Sequence, residues 1–178
     1  MEIILAENHG FCYGVKRAVE MANEAAEGKG KSYTLGPIIH NPQVVGRLES
    51  KGVSPIQEVA DIDEGTMIIR SHGVGPAIYA EAEEKGLHIL DATCPHVKKA
   101  QQDAKSVIED GMTLVILGEK NHPEVKSINL WANNKGIIIE DEESAKKLQI
   151  VKKMGVVVQT TFSQFKFNSI IEILEKKS

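Results

Sequence analysis

The chain nearly repeats itself, and a repeat on this scale confines the fold to paired copies of one supersecondary unit. Cys94 follows Cys12 by 82 residues, and the two neighbourhoods read Cys12-Tyr13-Gly14-Val15-Lys16-Arg17-Ala18 and Cys94-Pro95-His96-Val97-Lys98-Lys99-Ala100. Moving 24 residues on from each cysteine reaches a Leu-Gly pair, ending at Gly36 and Gly118. Moving 28 on reaches His40 and His122, with Pro42 and Pro123 close behind. A cysteine and a histidine duplicated at equal spacing suggest one shared site, to which each unit contributes from equivalent positions.

Composition sets wide bounds on function. The 178 residues suffice for one or two modest cores. Net charge is −4, and Lys and Arg are scattered, so no electrostatic footprint for nucleic acid is present. No apolar run approaches the roughly 20 residues of a membrane span, and the N-terminus lacks a signal-peptide pattern. A cytoplasmic protein with reduced thiols is expected, which argues against a Cys12–Cys94 disulfide.

Short apolar, β-branched runs recur at Ile3-Ile4-Leu5, Tyr33–Leu35, Met67–Ile69, His88–Leu90, Leu114–Leu117, Ile137–Ile139 and Val156–Val158. Apolar character without alternation predicts strands buried on both faces, as in parallel sheets covered by helices. Helical stripes lie between them: Val15, Ala18, Val19, Ala22 and Ala26 form one, Val97, Ala100, Ala104, Val107 and Ile108 its counterpart. Gly28 and Gly111 stand where these helices should stop. The fold class read from this pattern is α/β: two similar open parallel-sheet units with helices on both faces. The units are expected at 1–94, with Cys12, and at 95–178.

Open parallel sheets bind ligands beyond the carboxyl ends of their strands. Cys12, His40, His72, Cys94, His122 and the Thr160-Thr161 pair are all read as following a strand and preceding a helix. Both cysteines fall at helix starts, where the helix dipole favours the thiolate that a metal requires; a small buried core residue is the alternative. His40 and His72 could each be a hydrogen-bonding residue in a turn. Glu124, in His122-Pro123-Glu124, could simply complement the helix dipole, although it lies two residues from a duplicated histidine. His9, His88 and His96 follow no repeat logic and are read as ordinary polar positions.

Six segments occur in order: Gly10-Phe11-Cys12-Tyr13-Gly14-Val15, Leu35-Gly36-Pro37-Ile38-Ile39-His40-Asn41-Pro42, Ile69-Arg70-Ser71-His72-Gly73, Asp91-Ala92-Thr93-Cys94-Pro95, Gly118-Glu119-Lys120-Asn121-His122-Pro123-Glu124-Val125 and Gln159-Thr160-Thr161. Together they resemble the 4-hydroxy-3-methylbut-2-enyl diphosphate reductase family, iron–sulfur oxidoreductases of isoprenoid biosynthesis, and the resemblance runs the length of the chain. It implies a three-lobed, cloverleaf-like α/β protein around a [4Fe-4S] cluster, held by one cysteine per lobe. By that resemblance Cys12 and Cys94 are cluster ligands, His40, His72, His122 and Thr160 contact the diphosphate substrate, and Glu124 donates a proton. The partners it implies are the small-molecule diphosphate and an electron donor such as ferredoxin or flavodoxin, with neither nucleic acid nor membrane.

The chain departs from that pattern in three ways. The third cysteine is missing, as is the Ser- and Asn-rich stretch that completes the diphosphate pocket, so only the first two of three lobes are expected. Ser127 stands where relatives usually have glycine, which would alter a turn. The isolated 178-residue chain is therefore expected to ligate its cluster incompletely, to lack activity, and to expose an apolar surface through which it could dimerise. Two other functions fit the residues: a non-catalytic binding or assembly module, and a zinc protein using Cys12, Cys94 and two histidines. Against zinc, no pair shows the short ligand spacing of common zinc sites.

Overall fold

The computed structural model describes residues 2–7, 9–28 and 30–177. Its first sheet holds β1 (Ser32–Leu35), β2 (Val53–Ile56), β3 (Thr66–Ile69) and β4 (His88–Asp91) in the order β2-β1-β3-β4, all parallel. The second holds β5 (Thr113–Leu117), β6 (Ile137–Ile139) and β7 (Met154–Val158) in the order β6-β5-β7, again parallel. Among the described residues seven α-helices cover them: α1 (Tyr13–Glu27), α2 (Pro42–Glu49), α3 (Pro76–Glu84), α4 (Pro95–Glu109), α5 (Pro123–Trp131), α6 (Glu142–Lys147) and α7 (Gln164–Glu175).

Parallel strands need both faces covered, and two apolar clusters per sheet do so. On one face of the first sheet Ala18 and Ala22 of α1 and Val44 and Leu48 of α2 meet Ile68. On the other, Ala82 of α3 and the Val59–Asp61 3₁₀ turn meet Met67 and Ile69. The second sheet repeats the plan, with α4 and α5 against Leu114 and Ile116, and α6 and α7 against Val115 and Leu117. Each fully buried Ile or Leu contributes about 1.5–3 kcal/mol relative to exposure. The stripes read on α1 and α4 are these buried faces, with Ala18, Ala22 and Ala104 fully buried.

Two strand readings differ from the sequence. Ile3, Ile4 and Leu5 form no strand and are 77%, 83% and 74% exposed. A β run needs a hydrogen-bonded neighbour, and among the described residues no strand pairs with this one; Cys12 consequently follows a loop. Conversely β2 escaped notice because Pro55 interrupts its short apolar run. Pro55 is tolerated because β2 is an edge strand.

The sheets meet along a seam at the segment after β3. The Val74 carbonyl accepts the Trp131 indole N–H at 2.9 Å and the Ser127 hydroxyl at 3.4 Å. Ser127 also accepts from Gln101 Nε2 at 2.5 Å. A side chain on Gly73 or Gly75 would collide here: a Cβ would lie 2.5 Å from Gln101 Nε2 at the first and 2.8 Å from Leu130 at the second. Arg17 of α1 adds bonds to the Asp91 and Thr93 carbonyls, and Lys98 of α4 pairs with Asp91 at 2.6 Å. Ser127 therefore alters no turn. It lies inside α5, is buried, and joins the two units.

Ser127→Ala leaves the Gln101 amide buried without its acceptor, and is expected to cost about 1–3 kcal/mol in urea denaturation. Gln101→Leu added to it removes the orphaned donor and should recover more than half of that loss. A double variant no more stable than Ser127→Ala would contradict this view of the seam.

Candidate functional site

Strand order decides where the chemistry gathers. From β1 the chain moves outward through α2 to β2, whereas from β3 it moves the opposite way through α3 to β4, so the loops diverge above the β1–β3 pair. His40 follows β1 and His72 follows β3. In the second sheet β5 and β7 are the corresponding pair, followed by His122 and Thr160. Divergence of this kind opens a crevice at the carboxyl ends of strands.

The seam brings the crevices together. Ring centroids of His40 and His72 are 4.7 Å apart, those of His72 and His122 5.3 Å, and those of His40 and His122 6.2 Å. One ring nitrogen from each lies within 4.8 Å of the others. His122 is the N-cap of α5, and its Nδ1 accepts the Glu124 backbone N–H at 3.2 Å. That bond places the proton of the neutral ring on Nε2, leaving His122 a hydrogen-bond donor. His72 is half-buried, and its Nδ1 has no partner among the described residues. Burial, reinforced by His40, Arg70 and His122, pushes its pKa down to about 4.

Glu124 and Thr160 form a second pair. The Glu124 side chain is 2% exposed. Its Oε1 accepts the Thr160 backbone N–H at 2.6 Å and its Oε2 accepts the Thr160 hydroxyl at 2.8 Å. Thr160 is exposed, so its hydroxyl stands between a buried carboxylate and open space. Thr161 is turned elsewhere, accepting from Gln159 Nε2 at 2.9 Å. Dipole complementation alone would not require Glu124 to be buried with both oxygens occupied.

Cys12 and Cys94 are the N-caps of α1 and α4, the equivalent first helices of the two units. Both thiols are free; Cys12 is exposed and Cys94 half-buried. The Cys94 N–H donates to the Ser71 carbonyl at 2.9 Å, tying it to the residue before His72. Gly14 leaves room for the other cysteine: a Cβ there would lie 2.4 Å from Cys94 Sγ. The two cysteine turns therefore touch through Gly14. Among the described residues the close trio of metal-capable donors is the three imidazoles, and neither cysteine belongs to it. A Cys₂His₂ zinc set is not assembled.

Sequence reasoning passed over Arg70. It stands two residues before His72, within its motif, and is half-buried with no acceptor for Nε. The motif itself was the available signal.

The family model described as LytB protein matches residues 3–178. A 4-hydroxy-3-methylbut-2-enyl diphosphate reductase of Geobacter metallireducens is 49% identical over 178 residues, covering 99% of this chain and 63% of the relative. The protein of the same name from Geotalea uraniireducens is 48% identical, covering 97% and 61%. Among solved structures, the E-1-hydroxy-2-methyl-but-2-enyl-4-diphosphate reductase of Plasmodium falciparum superposes with a TM-score of 0.91 at 32% identity, over 96% of this chain and 55% of its own. A second, (E)-4-hydroxy-3-methyl-but-2-enyl diphosphate reductase, gives 0.83 at 43% identity, over 97% and 63%. The chain thus spans about three fifths of the curated relatives it matches.

A histidine with a folded pKa below its unfolded value stabilises the fold fully above the unfolded pKa, and that contribution is lost on acidification. For His72 the window runs from 6.5 down to about 4. His72→Asn is expected to flatten the dependence of urea-denaturation stability on pH in this window. An imidazole resonance of His72 titrating near 6.5 in the folded chain would contradict the assignment.

Proposed function

Because the chain belongs to the LytB protein family, we propose that it is the part of a 4-hydroxy-3-methylbut-2-enyl diphosphate reductase that supplies the histidine cluster and the proton-delivery pair. The reaction proposed is reductive dehydroxylation. The substrate takes up two electrons and two protons, its allylic C–O bond breaks, a C–H bond forms, and isopentenyl or dimethylallyl diphosphate leaves with water. The observation that carries this reading is the buried Glu124 carboxylate bound twice by Thr160, two residues along the chain from His122 of the imidazole trio.

Each residue has a definite task in this proposal. His122 offers an Nε2–H donor, and His40 and His72 stand beside it, a donor set suited to diphosphate oxygens. With Glu124 carrying one of the two protons the reaction consumes, the Thr160 hydroxyl beside its Oε2 would pass a proton to the departing hydroxyl, which must leave as water, and be reprotonated by Glu124. Burial of Glu124 keeps bulk solvent from short-circuiting that transfer.

The donors at Cys12 and Cys94 fit one side of an iron–sulfur centre: free thiols at two equivalent helix N-termini, in turns that touch through Gly14. When bound, such a cluster supplies electrons singly and a Lewis-acidic iron. A third thiolate would come from beyond these residues, consistent with the greater length of the relatives. The division into units at 1–94 and 95–178 belongs to this proposal, each unit contributing one cysteine and one histidine of the repeat. The electron donor would be a small carrier such as ferredoxin or flavodoxin. No described helix is long and apolar enough to cross a membrane.

Glu124→Gln, in a chain extended to the length of its relatives, is expected to lower kcat by about 10²–10⁴-fold while leaving the anaerobic visible spectrum of the cluster unchanged. Turnover within a few-fold of the parent would show that Glu124 is not the proton donor. The 178-residue chain alone, reconstituted with iron and sulfide, should lose its visible absorbance on desalting. Stable absorbance and full turnover from this chain alone would overturn the need for a third ligand.

A further inference from the structure

A cavity of about 340 Å³ lies at the junction of the two units and is lined by none of the residues assigned above to the reaction. Its charged lining side chains are Arg70 and Lys126, and no Asp or Glu faces it. Among the described residues, the Arg70 guanidinium makes no ion pair, and its buried Nε has no acceptor. Half-burying a cation without an acceptor is costly, and burial holds the Arg70 pKa below its ordinary value. The usual remedy, a protein carboxylate, is missing from the lining.

Backbone dipoles reinforce the same sign. Gly75, the N-cap of α3, lines the cavity and its helix start receives no side-chain cap. From α5 the lining takes Pro123 and Lys126, beside Asn121, and the positive charge α5 brings is the Lys126 ammonium, because its first-turn N–H at Glu124 is already bound by His122. The uncapped start of α3 therefore faces a space that already holds an unpaired guanidinium, an arrangement suited to an oxyanion. Ile78 and Leu130 complete an apolar wall.

We propose that this cavity is an oxyanion site, separate from the histidine cluster, which takes a phosphate group between the Arg70 guanidinium and the N-terminus of α3, with Lys126 at its mouth. The phosphate is either free or carried on a small molecule with a short apolar body, for which Ile78 and Leu130 provide contact. Occupation would also be felt at the histidines, because Arg70 is one of the charges acting on His72. The site stands on this chain's own residues and does not depend on the proposed reductase activity.

The test is titration of the 178-residue chain with inorganic phosphate and, separately, butyl phosphate at constant ionic strength, followed by backbone amide resonances. Saturable shifts at Val74, Gly75 and Ala77 are expected. Arg70→Gln should weaken binding at least about tenfold. Lys126→Gln, at an exposed position where folding is not at risk, should weaken it about threefold. His40→Ala should leave the affinity unchanged. Tighter binding of butyl phosphate would assign the site to an organic phosphate, and equal binding to the free ion. The proposal is overturned if neither ligand saturates, if binding survives Arg70→Gln, or if shifts centre on His40 and His122 and vanish in His40→Ala.

Discussion

The site depends on the seam between the two sheets, and at the centre of that seam stands one carbonyl. Val74 C=O, just past β3, receives Trp131 and Ser127 from α5, and so fixes the second sheet against the first. His40 and His72 belong to one unit and His122 to the other. Without the seam their rings would not share one small space. The glycines on either side of Val74 have no room for side chains, so the backbone after β3 lies directly against side chains of α4 and α5. A polar bond buried in such a seam is costly to lose, and it sets an orientation that apolar contact alone would leave adjustable.

A second constraint is the repeated use of helix beginnings. Cys12, Cys94 and His122 are N-caps, and His40 directly precedes the N-cap Asn41 of α2. Each such turn presents the positive end of a helix. Gathered at one edge, these turns favour anionic ligands. The tautomer of His122 follows from the same geometry, since a first-turn N–H occupies its Nδ1. The junction cavity, with Arg70 and the start of α3, uses the same device on a different wall.

Much of this was legible because it is local. Six of the seven strands read from apolar runs exist, and the duplicated spacing from Cys12 to His40 and from Cys94 to His122 marked the residues at the crevices. Ile3-Ile4-Leu5 misled because apolar composition shows what a segment could bury, not what neighbour it has. Pro55 hid β2 by a rule that edge strands relax. The Glu124–Thr160 pair spans 36 residues, and the Gln101–Ser127 bond 26. Such contacts arise only once strands and units are placed, and no periodicity records them. Ser127 shows the limit well: at sequence level it is a departure from glycine, in the fold a link between sheets.

The proposal that the histidine cluster, where the two units converge, binds anions is tested most directly by titrating the 178-residue chain with inorganic diphosphate while following histidine side-chain ¹⁵N–¹H correlations. Resonances of His40, His72 and His122 should move together and saturate at a single concentration, while His9, His88 and His96 stay in place. Shifts spread over all six histidines, or movement of His122 without His40 and His72, would contradict a shared site.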